Sequence, residues 1–421
     1  MTKQFSTISL FTGVGGLDYG FEAAGFETRV ALEFNHQCCE SLRASRPWSV
    51  IEADLLSTPT EQILEAGGLA AGNVDMLIGG PPCQPFSKSG WWKSGDSLRL
   101  DDPRSSTLSG YLRVLEQSRP FAFLLENVEG LAFGGKDEGL KLLLSEIERI
   151  NKANNTKYRP VVITLNAADY GVPQTRTRVF VIAARDGRAF VAPEPTHAEF
   201  STYQETERWT TAWDAIGEFD LSEDDPSVKA SGKWADLLPS IPEGQNYLWH
   251  TDRMGGKPLF GWRRRYWNFL LKLAKNRPAW TIQAQPGPAT GPFHWKNRRL
   301  SVRELARLQT FPDNVMVTGN RIEAQRQIGN AVPSLLAEVL ARAIRTQFFD
   351  SPATSDSPTL RVAPRQDCPP PEPIADVPHK YLHLLGDHVA HPGKGRGFLH
   401  IKNEKVDLPP DQLAIFQDGE A

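Results

Sequence analysis

Over the first 185 residues, short apolar runs alternate with amphipathic stretches. The runs Thr7–Phe11, Thr28–Leu32, Val50–Ala53, Val74–Ile78 and Phe121–Leu125 are often bounded by Gly, Asp, Asn or Pro, which predicts strands. Between them, apolar residues recur at helical spacing. One set is Leu17, Phe21 and Ala24; the next is Leu108, Tyr111, Leu112 and Leu115. A third, Leu140, Leu143, Leu144, Ile147 and Ile150, follows the i, i+3, i+4, i+7 rule. Strand–helix alternation predicts an α/β fold, a mostly parallel sheet with helices on both faces. Two further strands, Val161–Leu165 and Val179–Ala184, flank a polar segment and predict an added pair at one edge.

Near residue 186 the periodicity fades. It returns at Ser301-Val302-Arg303-Glu304, a capping-box pattern with Leu305 and Leu308 behind it. Ala331 to Phe348 predicts one more helix, with Leu335, Leu336, Val339, Leu340, Ala343 and Ile344 on its buried side and Pro333 near its first turn. Residues 350–378 are rich in Pro, Ser and Asp and read as a linker; 379–421 form a short tail of unknown role.

Composition adds three constraints. The chain has 421 residues, 40% apolar and 23% charged, which suits a globular chain of two or three domains. No apolar run reaches the roughly 18 residues of a membrane span, and the start lacks a secretory signal, so the expectation is a cytoplasmic protein without a membrane partner. The four cysteines, Cys38, Cys39, Cys83 and Cys368, form no C-x-x-C pair, so neither a disulfide framework nor a metal site is expected. The formal net charge of −3 seems mild, but it hides a cancellation. Residues 186–250 carry −9, residues 251–310 carry +11, and the chain outside 251–310 therefore carries −14.

Candidate chemistry collects at predicted strand ends, where ligands sit in open α/β sheets. Phe11-Thr12-Gly13-Val14-Gly15-Gly16 follows the first strand, and glycines there let the backbone approach a ligand. Glu33 closes the second strand 20 residues after Gly13, a position suited to ribose hydroxyls, and Asp54 follows the third. Asp18 stands where the dinucleotide fingerprint needs a third glycine, which disfavours NAD or FAD. Gly79-Gly80-Pro81-Pro82-Cys83-Gln84-Pro85-Phe86-Ser87 follows the fourth strand and places Cys83 as a candidate nucleophile. Glu126-Asn127-Val128 ends the fifth strand, so Glu126 is a candidate acid partner if the strands are neighbours. In Gln174-Thr175-Arg176-Thr177-Arg178, strand alternation puts both arginines on one face.

Six blocks in order resemble the DNA (cytosine-5)-methyltransferases of bacterial restriction-modification systems. They are Phe11 to Gly16, Pro82-Cys83-Gln84, Glu126-Asn127-Val128, Gln174 to Arg178, Arg299 to Asp313, and Gln327-Ile328-Gly329-Asn330-Ala331-Val332-Pro333. The resemblance implies a Rossmann-like sheet that uses S-adenosylmethionine, with no metal, and a smaller target-recognition domain. It implies a catalytic domain over 1–189 completed by 325–349, and a DNA-reading domain over 190–324. Cys83 would add to C6 of a flipped-out cytosine. Glu126 would hold N3, Arg178 the O2 side, and Arg176 a phosphate or the active-site loop. Phe11, Gly13, Gly15, Gly16, Glu33, Asp54, Pro82, Leu108 and Asn330 would form the cofactor site. Ser87, Arg99 and Arg104 would belong to a mobile loop over the base.

The partner implied is double-stranded DNA, met by a monomer. A cognate restriction endonuclease would share the target site without needing to bind. Arg263, Arg264, Arg265, Lys296, Arg298 and Arg299, interleaved with aromatics, suit phosphates and guanine edges. The alternatives are an RNA methyltransferase, an inactive DNA-binding regulator, an NAD-dependent oxidoreductase and an amino-methyltransferase. The first lacks a Cys between Cys83 and Cys368, where its Cys-Phe-Thr motif would fall. Intact Cys83, Glu126 and Arg178 argue against the second, Asp18 against the third, and the missing aromatic after Pro82 against the fourth.

Overall fold

The computed structural model describes residues 4–82, 105–128, 138–199, 206–219, 226–262, 266–352, 355–386 and 388. The chain forms two compact units. The first takes in residues 1–216, 278–284 and 302–365; the second takes in 217–277, 285–301 and 366–421.

The first unit is built on a seven-stranded sheet. Its strands are β1 (Phe5–Leu10), β2 (Phe26–Glu33), β3 (Ser49–Glu52), β4 (Met76–Gly79), β5 (Ala122–Asn127), β6 (Val161–Asn166) and, after the two-residue β7 (Gln174–Thr175), β8 (Thr177–Ala184). Their order is β3-β2-β1-β4-β5-β8-β6. Only β8 runs against its neighbours, pairing antiparallel with both β5 and β6. The added edge pair read from the sequence is therefore present. Its antiparallel hairpin decides the site, because the start of β8 lies beside the end of β5, with Glu126 opposite Phe180 and Asn127 opposite Val179.

Helices cover both faces. On one side Leu17 and Phe21 of α1 (Gly16–Ala23) meet Leu335, Leu336, Leu340 and Ile344 of the C-terminal helix α8 (Ser334–Phe349) over Phe26, Met76, Leu124 and Phe180. On the other, Ile63 of α3 (Thr60–Gly67), Tyr111 and Leu115 of α4 (Ser105–Ser118), and Leu143 and Ile147 of α5 (Glu138–Asn154) cover Ile8, Val30, Leu77 and Phe123. The helix α2 (His36–Ser45) follows β2, capped by the Asn35 side chain accepting from Cys38 N. Between the sheet and α8 come α6 (Val302–Leu308) and α7 (Arg321–Asn330). Pro333 is the N-cap of α8 rather than a residue of its first turn, because its fixed φ sits at the extended entry to the helix.

The second unit has little regular structure among its described residues. Short 3₁₀ turns at Ala235–Ser240, Tyr247–His250 and His379–Leu384 surround an aromatic core of Trp234, Tyr247, Phe260, Phe269, Phe293 and Tyr381. The boundaries expected from sequence shift accordingly. Residues 190–216, 278–284 and 302–324 belong to the first unit, and the stretch 350–378 is not a free linker. Thr359 and Leu360 donate backbone bonds to the buried Glu338 carboxylate of α8 at 2.7 and 2.8 Å. Glu372 joins Glu243 on the buried Lys275 ammonium at 2.9 and 2.7 Å, and Tyr381 stacks on Trp234 at 5.6 Å. Proline-rich chain lacks ladder hydrogen bonds, so it resembles a linker in sequence, yet single side chains suffice to pin it.

Candidate active site

A cavity of about 620 Å³ opens in the first unit along the carboxyl ends of its parallel strands. The loop after β1 forms one wall. Phe11 leaves the strand at φ 52° and Gly13 follows at φ 58°, a left-handed conformation that glycine adopts without strain. The turn aims Gly13 N at Glu33 Oε2, 2.8 Å away, while Asn35 N donates to Glu33 Oε1 at 2.7 Å. Two backbone donors thus fix the Glu33 carboxylate, and each oxygen keeps a lone pair for a ligand. Asp54 also lines the cavity, its Oδ1 accepting from Leu56 N at 2.9 Å. Phe34, 75% exposed, lines it too and offers an apolar face for a planar ring.

The opposite wall carries acid–base groups. Arg178 Nε lies 2.9 Å from Glu126 Oε1, with side chains only 14% and 13% exposed. Burial pushes the Glu126 carboxyl above the ordinary carboxylate range, and Arg178 and then Arg176 pull it back. Gly80 makes room for this carboxylate: a Cβ there would meet Glu126 Oε2 at 2.8 Å. Asn127 Nδ2 donates to Pro81 O at 3.3 Å and so ties the end of β5 to the loop after β4.

Of the two contacts expected of Arg176, the active-site loop lies outside the described residues, and the residue's burial does not suit the other, a phosphate. It is 1% exposed, and its Nη2 donates to Gly329 O at 2.8 Å and its Nη1 to Ile282 O at 3.4 Å. Residue 176 falls in the break between β7 and β8, so strand alternation does not govern it. Burial, reinforced by Arg178, holds its guanidinium pKa well below the ordinary arginine value, and Nε has no hydrogen-bond partner among the described residues. It reaches the cavity as a buried brace between β8 and α7.

Phe11, Gly13, Gly16, Glu33, Asp54, Pro82, Glu126, Arg176, Arg178 and Asn330 all line this one cavity. Gly15 and Leu108 do not. Gly15 caps α1 at φ 88°, and Leu108 packs into the apolar cluster behind, while its neighbour Thr107 faces the cavity. The helical period located Leu108 on an apolar face, and that face is the core. The sequence reading missed Phe34, Thr107 and Arg326, which also line the cavity. Of these, only Phe34 had a signal, an aromatic directly after a strand-ending carboxylate.

Cys83, Ser87, Arg99, Arg104, Arg263, Arg264 and Arg265 lie outside the described residues. In the second unit Arg298 is fully buried, its Nη1 donating to Arg299 O at 3.0 Å, so it is not available to DNA. Lys272 and Lys275 are also interior, bonded to Asn297 and to Glu243 and Glu372. A unit with few ladders leaves polar groups that these long side chains satisfy from within. Lys296 and Arg299 are partly exposed, and Arg299 lies 5.6 Å over the Phe293 ring. Among the described residues, no helix is long and apolar enough to cross a membrane.

The family model for C-5 cytosine-specific DNA methylases matches residues 5–346. The type II methyltransferase M.SacI of Streptomyces achromogenes is 41% identical over 389 residues, covering 84% of this chain and 97% of the relative. The type II methyltransferase M1.HphI of Haemophilus parahaemolyticus is 33% identical over 349 residues, covering 80% of this chain and 86% of the relative. Among solved structures, a DNA modification methyltransferase encoded within an E. coli prophage aligns with TM-score 0.56 at 23% identity, covering 82% of this chain and 99% of that one, which shows a shared fold. With the match running from the first strand into the last helix of the sheet unit, this chain belongs to the C-5 cytosine-specific DNA methylase family and is a DNA (cytosine-5-)-methyltransferase.

Proposed function

We propose that the chain transfers the methyl group of S-adenosylmethionine to C5 of a cytosine flipped out of a specific duplex sequence, through a covalent bond from Cys83 to C6. The observation that carries this is one cavity holding both the Glu33–Asp54 wall and the Glu126–Arg178 pair. The fit to the cofactor is chemical. Glu33 has free lone pairs for ribose hydroxyls, Asp54 can accept from an adenine amino group, and Phe11 and Phe34 offer apolar faces to the purine. Gly13, Gly16, Pro82 and Asn330 would complete the wall. When bound, S-adenosylmethionine supplies an electrophilic methyl group.

The residues of this chain do the rest. Cys83 is joined directly to Pro82 on the cavity wall. Its thiolate adds to C6, forming the S–C6 bond and moving an electron pair towards N3 and C5. Glu126, whose carboxyl pKa is pushed upward by burial, donates a proton at N3 and neutralises the developing charge. Arg178 fixes Glu126 and faces the cytosine O2. After C5 is methylated, its proton leaves to solvent, the S–C6 bond breaks to expel the Cys83 thiolate, and N3 returns its proton to Glu126, which restores the aromatic ring.

The second unit is the DNA-reading part in this proposal, with Arg263, Arg264, Arg265, Lys296 and Arg299 as its cations. The chain acts as the modification enzyme of a restriction-modification system, as a cytoplasmic monomer. Bisulfite sequencing of DNA from cells expressing the chain gives the target. A duplex carrying 5-fluorocytosine there should then trap a covalent complex with the native chain and none with Cys83→Ala. Methylation of the ordinary duplex without a trapped complex would overturn the covalent route.

A further inference from the structure

We propose that Asp18 is a positioning residue for the cofactor loop, its carboxylate setting the direction of a hydroxyl chain through Ser9 to Thr12 that holds Phe11–Gly13 against Glu33. This rests on reading the cavity as the S-adenosylmethionine site. Asp18 lies in the first turn of α1 and is fully buried. No cation pairs with it among the described residues. It accepts instead from Ser9 Oγ at 3.1 Å and from Thr28 Oγ1 of β2 at 3.0 Å.

A hydroxyl has one hydrogen. Ser9 spends its own on Asp18, so its oxygen is left to accept, and Thr12 Oγ1 lies 3.0 Å away to donate, nearer than its other two acceptors, Ser9 O and Leu32 O, each at 3.3 Å. Thr12 lines the cavity, its backbone N donates to Leu32 O at 3.3 Å, and the next residue donates to Glu33. Phe11 sits at positive φ, where a non-glycine residue persists only if its surroundings over-determine it. A packing residue at position 18 would fill the same space without orienting Ser9. Protonating the carboxyl also removes the orientation, because one oxygen becomes a donor and Ser9 can turn.

Burial pushes Asp18 up to about 6, with Glu22 adding to the rise and Ser9 and Thr28 opposing it. Glu22, one turn on, is the charged group that acts on it, and the neighbouring Tyr19 phenol is itself pushed up by burial and stays neutral in this range. From α8, Glu338 is engaged by Arg342, Thr359 and Leu360, and Arg345 donates to Ala24 O. From β1 and β2 hydroxyls, not charges, bond to it.

The test is calorimetric binding of S-adenosylmethionine to the full chain without DNA, from about pH 8 to about pH 5. The native Kd should rise about tenfold as pH falls through a midpoint near 6. Asp18→Asn should bind about tenfold more weakly at the upper end and show no such pH dependence. Ser9→Ala keeps the carboxyl but cuts the chain; it should lose similar affinity and, with Asp18 no longer coupled to Thr12, lose the pH dependence as well. If Asp18→Asn does not fold, the native profile and Ser9→Ala carry the test. A native Kd at Asp18→Asn, or the same pH slope in native and variant, would overturn the proposal, whereas a residue that only packs would lower Tm alone. A native chain that binds no S-adenosylmethionine at any pH overturns the reading of the cavity itself.

Discussion

At Glu126 two demands compete. The carboxyl must keep a proton at hand for N3, which burial favours, and it must be held in place, which the Arg178 contact favours by stabilising the anion. Glu126→Gln keeps the size and can still donate an amide hydrogen, but it cannot pass a proton. Single-turnover methylation should therefore slow by about 10²–10⁴-fold, while S-adenosylmethionine affinity changes little. A cofactor Kd that moved as far as the rate would count against the acid role. Single residues were unevenly legible. Glu33, Asp54 and Glu126 were found because strand ends are where an α/β sheet binds ligands. The burial of Arg176 and Arg298 was not legible, because charge in a sequence reads as exposure until the packing around it is known.

The elements depend on close approach at α1. A Cβ on Gly20 would meet Ser334 O at 2.4 Å, Ala337 Cβ at 2.5 Å and Glu338 N at 2.5 Å on α8. Two of these are backbone atoms, so no rotamer change relieves the clash. Gly20→Ala should cost about 1–3 kcal/mol, read as a lower Tm by scanning calorimetry, although alanine is the better helix former. An unchanged or raised Tm would show that the helices do not pack this closely. The same contact explains why a helix that starts 311 residues after the end of α1 (334 − 23) completes the sheet unit: the apolar stripe of α8 has its match on α1, β1 and β5. The period predicted the stripe, and the partner came only from the fold.

Over the whole molecule, the basic stretch needs a smaller reading than its charge suggested. Of its cations, Lys272, Lys275 and Arg298 are interior, and two of these anchor the second unit's own chain, including the segment from 366 onward. If about 6 of the remaining groups meet phosphates, affinity for the target duplex should fall about 10³-fold between about 50 and about 200 mM salt. Fluorescence anisotropy across that range checks it, and a flat response would remove DNA contact from this surface. Truncation changes the second unit as well, because Val377 and Tyr381 pack into its aromatic core and Glu372 pairs with the buried Lys275.

The sequence by itself determined the α/β class, the strand-end location of the chemistry and the family, since these rest on local periodicity and on short motifs in fixed order. Tertiary structure decided what depends on neighbours far apart in the chain. It set Arg178 against Glu126 through the reversed strand β8, withdrew Arg176 and Arg298 from solvent, and tied the proline-rich segment to both units' cores. Local pattern records how a residue faces its own element; whether that face meets water, a partner strand or a ligand is fixed only when distant segments pack.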